Sequence, residues 1–209
     1  HLKLIFFILA TFIASQSLQA QATNENEDPD ADFKLAKELY QKEDFSLAYP
    51  LFKMLYYGET QQQSNFPTSI KLEAKYYSVV CGLRLNDTTA ATAAVEFINL
   101  EHNTPRIQML CYHLGEYYYR HKDFLDASSY YEKAGVDNLS NSEIAQLKFH
   151  QAYSYFTMQR FNDAKPLFNA IRQIPSDANY IDANYYYGFI AFYEKNYAVC
   201  FCCLQFICE

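Results

Sequence analysis

The chain has no tryptophan and only 5 glycines and 6 prolines among its 209 residues. Strands joined by tight turns rely on glycine and proline, so this scarcity argues against an extended β-architecture. The sequence also has no Gly-rich phosphate-binding loop, no H-E-x-x-H zinc motif and no G-x-S-x-G nucleophile elbow. These absences predict a helical protein that is not an enzyme and needs no cofactor or metal.

The chain also has fewer basic than acidic residues, 17 against 24, and its formal net charge is −7. Such a protein is repelled by nucleic-acid phosphates and by anionic membrane surfaces, which argues against nucleic acid as a partner. By contrast, half of the residues are hydrophobic, including 20 tyrosines and 17 phenylalanines. This composition is sufficient for a continuous aromatic core.

The N-terminal segment has the pattern of a secretory signal peptide. Lys3 precedes an uncharged apolar run over residues 4–13, and Ala20-Gln21-Ala22 follows as a cleavage motif. A membrane-spanning helix needs about 20 apolar residues, so an uncleaved anchor is the weaker alternative. We therefore expect a cleaved signal peptide at residues 1–22, an acidic linker at residues 23–30, and a mature protein that is periplasmic or secreted.

A short pattern recurs along the rest of the chain: a polar pair, an aromatic residue, a small residue three positions later and a large apolar residue four beyond that. The copies are Phe45-Ala48-Phe52, Phe124-Ala127-Tyr131, Phe161-Ala164-Phe168 and, more loosely, Tyr197-Cys200-Leu204. Another small residue stands nine positions before each aromatic, at Ala36, Gly115, Ala152 and Gly188. Self-similarity of this kind predicts stacked helical hairpins, none of which can bury its apolar face alone.

The distance from Ala36 to Gly115 leaves room for one more copy. A degenerate one fits with Cys81 at the small position, followed by Ala93 and Phe97, so that successive small residues lie 45, 34, 37 and 36 positions apart. Two helices approach closely only where one presents a side chain as small as Gly, Ala or Cys. The aromatic residue at the turn and the residue seven positions later share one helix face and are expected to cover that close contact.

This pattern resembles the tetratricopeptide repeat (TPR) family, whose unit is about 34 residues of helix–turn–helix. The resemblance extends over about residues 30–209, and the third copy fits best. In that copy the signature positions are filled by Leu114, Gly115, Tyr118, Phe124, Ala127, Tyr131 and Ala134. The resemblance implies an all-α, right-handed solenoid of about five repeats, with units at residues 31–57, 68–100, 104–138, 141–174 and 177–209.

Polar turn residues and the apolar periodicity together predict ten helices. They form five pairs, at residues 31–42 with 45–57, 68–85 with 88–100, 104–121 with 124–134, 141–158 with 161–172, and 177–194 with 197–207. The segment from Gly58 to Thr68 is expected to be a surface insertion or a contact element.

In TPR proteins the first helices line a concave groove and the second helices form the convex back. The resemblance therefore implies a partner-binding groove at the positions three before, one after and four after each small residue. These residues are Tyr112, Glu116 and Tyr119 in unit three, Phe149, Tyr153 and Phe156 in unit four, and Tyr185, Phe189 and Phe192 in unit five. Eight of the nine are aromatic, which favours either an apolar or peptide ligand or packing against the neighbouring second helix.

The histidines and cysteines leave alternatives open. His113 and His150 occupy the same phase in consecutive units, so they are either partly buried histidines or a stacked, pH-sensitive or metal-linking pair. Cys81 and Cys111 are either buried thiols or, in an oxidising compartment, a disulfide. The cysteines of the last helix would scatter their thiols around its axis and make a poor zinc site.

The expected function is a noncatalytic scaffold of the bacterial cell envelope that binds a protein or peptide partner in the groove. The alternatives are a glycan-binding protein of the outer-membrane capture type and the repeat region of a larger signalling protein or enzyme. Membrane association is expected only through an uncleaved N-terminal segment. Because the chain begins with His1 and ends inside an uncharged helix, we expect a truncated array that self-associates through its exposed C-terminal face.

Overall fold

The computed structural model describes residues 29–57 and 67–205, and every regular element in these two ranges is an α-helix. The helices are α1 (Pro29–Gln41), α2 (Phe45–Tyr57), α3 (Thr68–Arg84), α4 (Thr88–Leu100), α5 (Thr104–Arg120), α6 (Phe124–Lys133), α7 (Asn141–Thr157), α8 (Phe161–Ile171), α9 (Tyr180–Tyr193) and α10 (Tyr197–Gln205). The predicted helices agree with these to within three residues at every end. The all-α prediction is therefore confirmed.

Several predicted features lie outside the described residues. They are the signal peptide at residues 1–22, the linker up to residue 28, the segment at residues 58–66 and the last four residues. Within residues 29–57 and 67–205, no helix is long and apolar enough to cross a membrane.

The helices pack in chain order, each against its neighbours in sequence. In addition, α1 contacts α3, α3 contacts α5 and α5 contacts α7, so the first helices of successive pairs form a row, which we call the inner row. The second helices α2, α4, α6 and α8 each pack against their own first helix and against the first helix of the next pair. The described residues thus form an α-solenoid of five helix pairs, which we number as units one to five.

The same turn joins the two helices of every unit. Its central residue has a left-handed backbone, with φ between 59° and 62°, although none of the five is a glycine: Glu43, Asn86, Lys122, Gln159 and Lys195. The next amide donates to a carbonyl five residues back, as Asp123 N does to Tyr118 O at 3.0 Å. This Schellman ending pairs carbonyls that a helix otherwise leaves free. Asp123 then caps α6 by accepting a hydrogen bond from the amide of Asp126.

These turns fix the register of unit two. The left-handed residues lie 43, 36, 37 and 36 positions apart, and each second helix begins two positions later. In the other units the small residue lies seven positions before the left-handed residue, so in unit two the small position is held by Val79. Ala91 then lies three positions into α4. The assignment based on Cys81 is therefore wrong by two residues. Spacing alone misplaced this unit because α4 is rich in alanine and begins with Thr88 where the other second helices begin with an aromatic residue.

In unit three the close contact between the two helices depends on the predicted small residue, whereas in unit two the small position holds Val79. A Cβ atom built on Gly115 would lie 2.6 Å from the ring of Tyr131, seven positions into the second helix of unit three. In unit two this role falls to Gly82, where an added Cβ would lie 2.6 Å from the Cβ of Ala90. The helices of these units could not approach as they do with larger side chains at these positions.

The described cysteines are all free. Cys81 and Cys111 are buried thiols, so the disulfide alternative is not realised. Burial raises the pKa of Cys81 to about 12, which keeps the thiol protonated and unreactive. In α10, Cys200 and Cys203 are buried and Cys202 is exposed, so these thiols point to different sides of the helix.

We expect Gly115→Ala to lower the free energy of unfolding by about 1–3 kcal/mol, because Tyr131 is held by a 2.6 Å hydrogen bond to Glu116 and cannot move aside freely. This is the net loss that we expect after the gain of about 1 kcal/mol that alanine brings to a helix. Gly135→Ala is the control, since its Cβ would meet only the flexible end of Gln108. Urea denaturation measures both variants, and wild-type stability in Gly115→Ala would contradict this packing.

Candidate functional site

Adjacent units are joined through one side chain of each first helix that points at the preceding unit. It lies two positions before the small residue, and we call it the knob residue. In units two to five it is Tyr77, His113, His150 and Tyr186, and the same position of unit one, which has no described unit before it, holds Lys34. We call the side chains that receive it the socket of the preceding unit. A socket consists of the residues three before, one after and four after the small residue, together with the residue seven positions into the second helix.

Tyr186 shows the arrangement most completely. Its ring centroid lies 6.3 Å from that of Phe149, 5.3 Å from Tyr153, 4.9 Å from Phe156 and 5.4 Å from Phe168, which together form the socket of unit four. Three of these ring pairs are tilted or edge-on and the pair with Phe168 is stacked, and such pairs are favourable beyond the area that they bury. The junction between units four and five is therefore held by an aromatic cluster around one tyrosine.

Tyr77 fills the socket of unit one in the same way. Its ring lies 6.4 Å from Phe33 and 4.9 Å from Tyr40, and it stacks on Phe52 at 5.1 Å. The fourth position is occupied by Lys37, whose ammonium lies 5.0 Å from the centre of the Tyr77 ring. A cation over a ring face is attracted by the π-electrons, so the charged residue also stabilises this junction.

His150 occupies the socket of unit three, where it contacts a buried carboxylate as well as an aromatic ring. Its ring stacks on Tyr119 at 3.8 Å, and its Nδ1 lies 2.8 Å from Oε1 of Glu116. Glu116 is buried and also accepts hydrogen bonds from the Tyr131 hydroxyl at 2.6 Å and from the Gln146 amide at 3.0 Å. Burial pushes the pKa of Glu116 up, but the hydrogen bonds from His150 and Tyr131 outweigh it and hold the pKa below its usual value.

His113, at the junction of units two and three, lacks such partners. Both of its ring nitrogens are buried and make no hydrogen bond, and two walls of the socket of unit two are the apolar Val80 and Leu83. Burial and the nearby charges of Arg84 and Arg120 lower the pKa of His113 to about 3, so the ring is neutral. His113 and His150 thus have different environments. Among the described residues no group of three His, Cys, Asp or Glu side chains is arranged to hold a metal ion.

The nine residues predicted for the groove fall into three sets. Three are buried: Tyr112, Glu116 and Phe149. Three are partly buried: Tyr119, Tyr153 and Phe156. Three are 44–58% exposed: Tyr185, Phe189 and Phe192. All nine are socket residues, so in units three and four the first helix of the next unit covers them, whereas in unit five they face outward.

Cleft A opens on the inner row beside the turn of unit three. Its volume is about 450 Å³, and its floor consists of Tyr119, Phe124 and Tyr153, whose ring centroids lie 5.7–6.0 Å apart. Arg120 and Lys122 form its rim. The cleft therefore combines three aromatic rings with two basic side chains.

Cleft B is the same feature one unit further along. Its volume is about 340 Å³, and its aromatic lining is formed by Phe156, Phe161, Phe189 and Tyr193. The first three hold the positions of Tyr119, Phe124 and Tyr153 in cleft A, while Thr157 and Gln159 replace the two basic residues of the rim. Two equivalent aromatic clefts therefore follow each other along the inner row.

One position accounts for the opening of cleft A, whereas in unit five the same position holds Tyr193, whose ring lies 4.9 Å from Phe161 and forms one wall of cleft B. The residue five positions after the small residue reaches back to the turn of the preceding unit: the Arg84 guanidinium lies 5.6 Å from the Phe45 ring, and Arg120 donates to Leu83 O at 2.7 Å. In unit four this position holds Thr157, which is short and donates to its own helix. Cleft A is consequently open.

The groove prediction includes four of the seven aromatic residues that line the clefts. It lacks Tyr193 and the turn aromatics Phe124 and Phe161, which the repeat pattern places in the packing within each hairpin. The signal that could have identified the open cleft is the change from Arg84 and Arg120 to Thr157 at one repeat position. The effect of this change depends on how far a side chain extends across the junction between two units, and the spacing of residues in the sequence does not show that distance.

No protein-family model matches the sequence, and no curated protein matches it either. The TPR resemblance therefore stays an interpretation of the repeat pattern. Function has to be inferred from the clefts and sockets themselves.

We expect His113→Phe to raise the free energy of unfolding by about 1 kcal/mol at pH 7, because it removes two buried nitrogens that have no partner. The pKa of His113 is about 3 in the folded protein and about 6.5 when unfolded, so wild-type stability falls as the pH drops from 6.5 towards 3. The variant lacks this loss, and its advantage should grow by roughly 2–3 kcal/mol at pH 4.5.

The matched control is His150→Phe, which deprives the buried Glu116 carboxylate of one partner and should destabilise the protein. Urea denaturation of both variants at pH 7 and pH 4.5 measures the effects. Similar destabilisation by the two substitutions at pH 7 would show that His113 also has a polar partner.

Proposed function

We propose that the protein is a noncatalytic scaffold built on a TPR-type array, and that it binds an extended segment of a partner protein across clefts A and B. The observation that carries this proposal is the repetition of one aromatic cleft in two successive units. A compact small molecule needs only one cleft. A linear ligand with a regular backbone repeat can occupy several equivalent clefts in succession.

The spacing of the clefts suits an extended peptide. Packed helices lie about 8–10 Å apart, so equivalent points in adjacent units are separated by about this distance. An extended chain advances about 3.3 Å per residue, so side chains three positions apart span about 10 Å. A peptide running along the inner row would thus place residues i and i+3 in the two clefts.

The chemistry of the clefts specifies the side chains. The rings of Tyr119, Phe124 and Tyr153 favour an aromatic or branched apolar residue in cleft A, and Lys122 on the rim favours an acidic residue beside it. Cleft B has a neutral rim and accepts a second apolar residue. The proposed ligand is an extended segment with two apolar residues three apart and an acidic residue next to the first.

The TPR assignment and the cellular location are part of the same proposal. Helix pairs that repeat through one recurring turn, at intervals of 43, 36, 37 and 36 residues, support a TPR-type unit. The basic, apolar and A-x-A pattern of residues 1–22 supports export, which leaves a mature protein in the periplasm or outside the cell. A partner protein of the bacterial cell envelope fits this location.

Glycan binding is the second candidate, and one observation favours it. Cleft B places the hydroxyl of Thr157 and the amide of Gln159 beside four aromatic rings, a combination that can stack on a sugar ring and bond its hydroxyls. An oligosaccharide array separates the two candidates. Saturable binding to sugars together with no selection of peptides would favour the glycan reading.

Selection of peptides from a random 12-residue display library tests the leading proposal. Peptides enriched on the purified protein should share two apolar residues three positions apart. Thr157→Arg should lower their affinity at least tenfold, because arginine at this position reaches back over the turn aromatic, as Arg84 does over Phe45. Thr157→Ser is the matched control and should bind as the wild type does. Equal affinity for the arginine variant would place peptide binding outside cleft A.

A further inference from the structure

Two arginines of the inner row have no acidic partner. Among the described residues, Arg160 pairs with Asp163 at 2.8 Å, whereas no carboxylate makes an ion pair with Arg84 or Arg120. Both hold the same repeat position and reach back to the turn of the preceding unit. The chain has 24 acidic residues to 17 basic ones, so two neighbouring arginines without a carboxylate stand out. They are candidates for binding an acidic group of another molecule.

Both guanidinium groups have free hydrogen-bond donors. Within the described ranges Arg84 makes no hydrogen bond: its Nε is buried, and the group lies 5.6 Å from the centre of the Phe45 ring. Arg120 donates from Nε to Asn86 Oδ1 at 3.1 Å and from one terminal nitrogen to Leu83 O at 2.7 Å. Its other terminal nitrogen is free. Because a guanidinium has five N–H donors in a fork that fits a carboxylate, each arginine can accept one without losing its present contacts.

Positive charge is concentrated around these two side chains. Burial lowers the pKa of Arg120 and the charge of Arg84 lowers it further, while the charge of Glu116 acts in the opposite direction. Burial and the same two arginines lower the pKa of His113 to about 3, and both buried ring nitrogens of this residue have no hydrogen-bond partner. Glu116 is buried and already bonded to three other side chains. Carboxylates brought to the two guanidinium groups would relieve the repulsion between them.

The acidic residues that precede α1 and follow α2, outside the described ranges, do not reach both arginines. Glu25, the first acidic residue of the sequence, stands four positions before Pro29, and Glu59 stands two positions after Tyr57. These are the ends of α1 and α2 that lie away from the turn. Each helix has 13 residues and is about 20 Å long, whereas four extended residues span at most about 14 Å. Neither segment can therefore supply carboxylates to the turns of units one and two together.

The two arginines continue the path of clefts A and B. Arg84 lies over the turn of unit one and Arg120 reaches the turn of unit two, while clefts A and B open beside the turns of units three and four. Equivalent points of adjacent units are about 8–10 Å apart, which an extended chain spans in three residues. One extended segment can thus meet two basic and two aromatic sites in succession.

We propose that Arg84 and Arg120 bind two acidic side chains of the same partner segment that enters clefts A and B. This inference rests on the proposed function and adds an orientation to it: the acidic part of the segment lies over units one and two, and the apolar part over units three and four. The acidic residues stand three and six positions from the residue in cleft A, on the side away from the residue in cleft B. The pattern is acidic-x-x-acidic-x-x-apolar-x-x-apolar, or its reverse.

Two selections from a random 12-residue display library test the proposal, one on the wild-type protein and one on the double variant Arg84→Gln, Arg120→Gln. Peptides selected on the wild type should share the apolar pair and the two acidic residues. Peptides selected on the double variant should keep the apolar pair and lose the acidic preference. An apolar pair without acidic enrichment on the wild type, or with equal enrichment on both proteins, would overturn this inference alone. Absence of the apolar pair on the wild type would contradict the proposed function as well.

Fluorescence anisotropy with one labelled peptide from the wild-type selection assigns each contact. Arg84→Gln should weaken its binding about fivefold to tenfold, because a charge-assisted hydrogen bond is lost. Arg84→Lys, which keeps the charge, should weaken it less. A peptide whose outermost acidic residue is replaced by glutamine should bind the wild type and Arg84→Gln equally. Lys133→Gln is the matched control, since it removes an exposed positive charge from the second helix α6 and should leave binding unchanged. Equal binding of the unaltered peptide to wild type and Arg84→Gln would contradict the proposal.

Inorganic phosphate tests whether the arginines bind a free anion instead. Circular dichroism first checks that each variant is folded. Sodium phosphate should then change the Tm of the wild type and of the double variant equally. A rise in Tm confined to the wild type, together with no acidic preference in the selected peptides, would show that the ligand is a free anion and that the proposal is wrong.

Discussion

The insertion of one knob residue into the socket of the preceding unit is the contact on which the stacking of this solenoid depends. Tyr77 and Tyr186 make it with aromatic rings, and His150 makes it with a stacked tyrosine and the buried Glu116 carboxylate. Each aromatic pair contributes about 0.5–1.5 kcal/mol beyond the burial of its area. Because the knob lies at one repeat position, successive first helices dock in one orientation even where the chemistry differs.

The candidate binding surface is a consequence of this regular docking. Clefts A and B recur because, in units three and four, the turn aromatic and the same two positions of neighbouring first helices line one cleft. The shape of each cleft then depends on one further side chain, which is long at Arg84 and Arg120, short at Thr157 beside cleft A, and an aromatic wall at Tyr193 in cleft B. A repeat array can thus change its binding surface by a substitution that leaves the stacking contacts intact.

The fold was largely predictable from the sequence because its determinants are local. Polar turns, small residues and aromatic residues at a fixed spacing define each hairpin, and helix ends follow from the turns. Unit two was misplaced because α4 has neither turn aromatic nor a distinct small residue among its alanines. The periodicity identified the face that holds Tyr112, Glu116 and Phe149. It did not show that the next unit buries them, because burial depends on the distance between helices that are far apart in sequence.

A double-mutant cycle between Tyr186 and Phe156 tests the central contact most directly. Their rings are 4.9 Å apart across the junction of units four and five. Replacing each by leucine, singly and together, should reveal a coupling energy of about 0.5–1.5 kcal/mol in urea unfolding. The pair Tyr186 and Tyr77, from different junctions, should be additive to within about 0.5 kcal/mol. Additivity between Tyr186 and Phe156 would contradict the account, because the two rings would then not hold the units together.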